Sequence, residues 1–113
     1  MRTAILTGSH VYGTPGPKSD VDLVVLLAPA EAADLARIMG GSLERHGDAQ
    51  YPVASFRAGM LNVIVETEPD RFEVWVRGTE QLVKQAPVDR ETAVELFSRL
   101  REERALDAGE GLG

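Results

Sequence analysis

The run Asp20 to Leu27, DVDLVVLL, constrains this chain more than any other stretch. Strand alternation puts Asp20, Asp22, Val24 and Leu26 on one face and Val21, Leu23, Val25 and Leu27 on the other. Beyond Asp22 both faces are apolar, so the segment reads as a central strand that other elements must cover on both sides. The flanking sequence has to supply what covers it.

Upstream, Arg2 to Thr7 is a short, mostly apolar run with β-branched residues, and Gly8 ends it. Ser9 to Tyr12 can begin a short helix, which Gly13-Thr14-Pro15-Gly16-Pro17 cannot continue, and a loop reaches at least to Ser19. Downstream, Pro29 suits a first helical turn, and Ala32, Leu35, Ala36, Met39 and Leu43 recur at helical spacing. Gly40-Gly41 either ends that helix or lies inside it. His46-Gly47-Asp48 reads as a turn. Tyr51 to Arg57 and Leu61 to Val65 read as a hairpin connected at Ala58-Gly59, with Pro52 placing its first strand near a sheet edge. Pro69 opens a second helix with Phe72, Trp75, Val76 and Val83 as its apolar stripe. Pro87, with Asp89 as cap, opens a third with Ala93, Leu96, Phe97 and Leu100 inward. The order implies an α/β (α+β) domain, a mixed β-sheet with helices packed on it. One domain over 1–107 and a Gly-rich flexible tail over 108–113 are expected.

Charge and composition limit what such a domain can bind. The formal net charge is −6 and the twelve Lys and Arg residues are scattered, which disfavours an extended nucleic-acid partner. A small nucleotide is compatible with an acidic site, because metal ions carry the countercharge. With no cysteine, disulfides and thiolate metal sites are excluded. No apolar run is long enough to span a bilayer and no charged n-region precedes one, so a cytoplasmic protein is the expectation.

Asp20 and Asp22, at i and i+2 on a strand, share a face with Cα atoms roughly 6.5–7 Å apart. They can hold one cation, or a pair about 3.5–4 Å apart as in two-metal phosphoryl-transfer sites. Mg²⁺ suits them, since one or two carboxylates plus water and phosphate oxygens satisfy it. Gly8 lets a phosphate approach the backbone, and Ser9 offers a hydroxyl and a backbone N–H. If the first two strands are antiparallel neighbours, these two halves meet.

Gly8-Ser9, Tyr12-Gly13 and Ser19-Asp20-Val21-Asp22-Leu23 together resemble the signature of the DNA polymerase beta-like nucleotidyltransferase superfamily, especially its minimal single-domain members. The resemblance implies that Gly8, Ser9 and Ser19 surround nucleotide phosphates and that Asp20 and Asp22 ligate Mg²⁺, with Mn²⁺ as a substitute. It implies transfer of a nucleoside monophosphate from a nucleoside triphosphate to an acceptor hydroxyl. Acceptors in the superfamily include a protein partner, a small molecule such as an antibiotic, and an RNA end. Minimal members also serve as the antitoxin of a toxin–antitoxin pair, so a toxin partner and an oligomer are open alternatives. The third carboxylate of the pattern falls on Asn62, the third candidate catalytic position. An amide oxygen can coordinate a metal but cannot take a proton as a carboxylate base does. The expectation is weakened two-metal chemistry, or a nucleotide-binding module without turnover.

Plainer readings stand beside these. Asp20 and Asp22 could be a solvated strand start, and Asn62 could satisfy a buried hydrogen bond. His10 suits an exposed first helical turn as well as a phosphate contact. Lys18 and Arg57 fit solvated surface as well as phosphate partners. Trp75 follows helical periodicity and reads as core packing in preference to a base-stacking platform. Glu66 shares a strand face with Asn62 but lies four residues, roughly 13 Å, further along.

Overall fold

Thr7, the last residue of strand β1 (Ala4–Thr7), pairs with Asp22, the second residue of strand β2 (Val21–Leu26), in an antiparallel register. The computed structural model describes residues 3–46 and 53–107. Between these strands lies α1 (Ser9–Tyr12); after them come α2 (Pro29–Ile38), β3 (Glu44–His46), β4 (Val53–Ala58), β5 (Leu61–Glu66), α3 (Pro69–Gln85) and α4 (Arg90–Asp107). The five strands form one sheet in the order β1-β2-β5-β4-β3. β2 and β5 run parallel and the other pairs antiparallel, which makes the sheet mixed.

The doubly apolar β2 is covered on both faces. On one, Val25 packs with Ala32 and Ala36 of α2 and with Phe56, Val63 and Val65. On the other, Val24 packs with Phe72 and Val76 of α3. Val24 has no exposed surface, and burying such a side chain is worth about 1.5–3 kcal/mol. A third cluster lies beyond α3, where Val74 and Leu82 meet Ala93, Leu96, Phe97 and Leu100 of α4, with Tyr12 from α1. α4 therefore rests on α3, one layer away from the sheet.

Several sequence expectations need correction. α2 ends at Ile38: Gly40 adopts φ 81°, its N–H reaches Arg37 O, and Gly41 N–H reaches Ala36 O at 2.8 Å. This is the left-handed glycine stop, so Leu43 lies outside the helix. In α3 the stripe is wider than the four residues expected, because the helix is buried against both the sheet and α4. Val74, Gly78, Thr79 and Leu82 are buried as well, and Val83 is exposed. The hairpin connection is Gly59-Met60, with Ala58 paired to Leu61 and Gly59 at φ 63°. An additional edge strand, β3, pairs with β4. His46, expected in a turn with Gly47 and Asp48, is instead the last residue of β3; the rest of that turn, the strand start at Tyr51-Pro52 and the tail from 108 lie outside the described residues.

Candidate functional site

A cleft of about 820 Å³ opens between the start of β2, the loop after β1 and the N-terminal half of α4. Its size lies in the range of small-molecule sites. Gly8, Ser9, Ser19, Asp20, Asp22 and Asn62, the six residues singled out from sequence, all line it.

Sheet register explains why they converge. Antiparallel pairing of β1 with β2 brings Gly8, which follows Thr7, beside Asp22. Parallel pairing of β2 with β5 sets Asp22 opposite Asn62, and antiparallel pairing of β5 with β4 sets Asn62 opposite Arg57. Three adjacent strands thus carry Asp22, Asn62 and Arg57 in one row. Asn62 Nδ2 donates a hydrogen bond to Asp22 Oδ1 at 3.1 Å. Arg57 Nη2 lies 2.7 Å from Asp20 Oδ2, an ion pair in which the arginine is mostly exposed.

Gly8 sits at φ 83°, ψ −168°, a backbone region open essentially to glycine alone. A Cβ on it would overlap the carboxylate of Asp22. Tyr12, buried close by, is hydrogen-bonded to Thr7, whose hydroxyl is 2.7 Å from that of Thr79 on α3. Burial raises the Tyr12 phenol above its ordinary value and the charge of Asp22 raises it further, against the lowering effect of the bond to Thr7. Tyr12 is therefore a neutral wall of the cleft at ordinary pH.

The loop is braced by its own groups. His10 Nε2 lies 3.0 Å from Ser19 O, which makes that nitrogen the donor, and Gly16 N–H donates to Ser19 Oγ at 2.9 Å. His10 thus holds the chain leading into Asp20. Asp89 stands on the α4 side, accepting from Thr92 N–H at 2.8 Å, and those bonds lower its pKa.

Among the described residues no three His, Cys, Asp or Glu side chains gather as a metal-ligand cluster. Asp20 and Asp22 are two carboxylates on one cleft, too few for a protein-only cage, so a hard cation there would need further oxygens from water or a ligand. Glu66 does not join them: it is buried and accepts from Trp75 Nε1 at 3.0 Å.

The sequence matches the family model described as a nucleotidyltransferase domain over residues 2–97. The chain belongs to the nucleotidyltransferase domain family. Neither a curated protein nor a solved structure gives a significant match. The family accounts for the nucleotidyl-transfer character of the fold, and the mixed sheet with its packed helices agrees with it. No helix among the described residues is long and apolar enough to cross a membrane.

The α4 side of this cleft carries no distinct sequence signal. Arg90, Val94, Phe97 and Arg101 line it because α4 packs on α3, with Phe97 against Trp75 at the edge of the cleft. Trp75 serves core and cleft at once: its ring lies 5.0 Å from Phe97, under the Arg101 guanidinium, and it still borders the opening. Arg57, already a candidate phosphate partner from sequence, reaches the site because the two-residue turn at Gly59-Met60 makes it the cross-strand neighbour of Asn62.

Proposed function

We propose that this protein transfers a nucleoside monophosphate from a nucleoside triphosphate to an acceptor hydroxyl in a Mg²⁺-dependent reaction. The observation that carries this reading is the convergence of Gly8-Ser9 and the Asp20/Asp22 pair on one cleft. Asp20 and Asp22 would hold the metal, which when bound supplies charge neutralisation on the triphosphate. Gly8, bare of a side chain, leaves the space in which the Asp22 carboxylate stands, and the Ser9 and Ser19 segments border the phosphates. The acceptor oxygen forms a bond to the α-phosphorus, the bond from that phosphorus to the bridging oxygen breaks, and pyrophosphate leaves. The hydroxyl proton passes to Asp22 or to water, because the Asn62 amide cannot take it.

Asn62 supports a second reading, a nucleotide-binding or antitoxin-type interaction module of the same fold with impaired turnover. Its amide donates to Asp22 where a carboxylate would complete a three-acid set. One experiment separates the two. The protein is incubated with α-labelled triphosphates, Mg²⁺ or Mn²⁺, and candidate protein, small-molecule and RNA acceptors. Transfer by the natural chain that disappears in Asp20→Ala/Asp22→Ala supports the enzyme. Binding of labelled nucleotide without transfer supports the module, and absence of both rejects the site.

A further inference from the structure

Arg57 is a basic side chain in direct contact with the acidic pair, and it is already engaged. Its Nη2 stands 2.7 Å from Asp20 Oδ2, within charge-assisted hydrogen-bond distance. We infer that Arg57 is a movable latch: it occupies Asp20 while the site is free of metal and transfers to the triphosphate when metal takes Asp20.

Three features support the transfer. Arg57 is 68% exposed while Asp20 is only 27% exposed, so the guanidinium is the partner with freedom to move. Its attachment point on β4 is fixed opposite Asn62, next to the carboxylates, which keeps the head group within the site. Arg57 also lines a second depression of about 560 Å³, bordered by Ser42, Glu44 and Ser55, which adjoins the cleft at Asn62 and Ile64. That depression gives the side chain room to swing.

The chemistry favours the exchange only when both ligands arrive. Mg²⁺ alone must displace a cation from Asp20 and leave Arg57 without its carboxylate. Metal with triphosphate offers Arg57 a phosphate in return, and guanidinium groups bind phosphate in the same forked geometry as carboxylate. An ion pair whose guanidinium is mostly exposed is weak enough to be released in this way. The latch makes metal loading depend on nucleotide, and it rests on the nucleotide-site reading given above.

The test measures Mn²⁺ binding by electron paramagnetic resonance in the full chain, first alone and then with a triphosphate analogue bearing a methylene between the α and β phosphorus atoms. Arg57→Gln should tighten Mn²⁺ alone by about two- to fivefold and weaken the joint binding of Mn²⁺ and analogue by about tenfold. Arg57→Lys should fall between. In an Asp20→Asn background, Arg57→Gln should no longer tighten Mn²⁺ alone. Equal effects on both measurements, or none on either, would overturn the latch while leaving the nucleotide site standing. A natural chain that binds neither Mn²⁺ nor analogue removes the site reading and the latch together.

Discussion

Asn62 donates a hydrogen bond to Asp22 across the parallel β2–β5 pair, at 3.1 Å from Nδ2 to Oδ1. The register places the two opposite each other, so the amide supports the carboxylate without a metal. Asn62→Asp replaces that donor by a second negative charge in a half-buried position. With chelator present the variant should lose about 1–3 kcal/mol of stability. Mn²⁺ should restore much of the loss, because three carboxylates then share one cation. Urea unfolding with and without Mn²⁺ reads both effects; equal stability in chelator would show that the amide does not support Asp22.

Gly8 and Asp22 are joined by shape. The backbone at Gly8 lies in a region other residues avoid, and a Cβ would overlap the Asp22 carboxylate. Gly8→Ala should therefore cost about 1–3 kcal/mol in strain and displace Asp22, weakening Mn²⁺ binding more than stability alone explains. Thermal melts compared with Mn²⁺ titration at a temperature where the variant is fully folded separate the two. Unchanged metal affinity would mean that Asp22 does not depend on the bare Gly8 backbone.

The contrast between legible and hidden parts follows from which physical rule fixed each. Asp20 to Leu27 announced its strand because two apolar faces leave few alternatives, and the short link from β1 made an antiparallel pair accessible. The candidate site was legible to the extent that it sits on or directly beside those two strands: Asp22 lies in β2, Gly8 follows β1 and Asp20 precedes β2, so one antiparallel pairing brings them together. β3 was hidden because Glu44-Arg45-His46 has no apolar alternation, and pairing with β4 alone defines it. Arg90, Phe97 and Arg101 were hidden for a different reason. Their place on the cleft depends on how α4 docks on α3, and helical periodicity gives the buried face without the neighbour it faces.

Asp89 links helix stability to pH. Its pKa lies below the ordinary 3.8, first because of the hydrogen bond from the Thr92 side chain and then because of that from Thr92 N–H. A depressed pKa means that the cap contributes fully above about 3.8 and is lost as pH falls through the lower folded value. Asp89→Ala should thus lower the melting temperature at pH 7, and the difference from the parent should shrink as pH is taken below that range. A gap that stays constant down to the acid limit would show that the charged carboxylate is not what caps α4.

Gly78 tests whether packing between α3 and α4 holds the far wall of the cleft. A glycine inside a 17-residue helix normally costs stability, so Gly78→Ala alone would gain about 1 kcal/mol in helix propensity. Here, however, a Cβ would overlap the Phe97 ring. The ring is hemmed in by Trp75 at 5.0 Å and by the Arg101 guanidinium at 5.8 Å from its centroid, so it has little room to turn aside. Overpacking of this kind costs about 1–3 kcal/mol, which meets or exceeds the propensity gain. The variant should be no more stable than the parent in urea, and nucleotide binding should weaken because Phe97 lines the cleft. A stabilised Gly78→Ala with unchanged nucleotide affinity would mean that α4 can shift outward freely and that its docking does not shape the site.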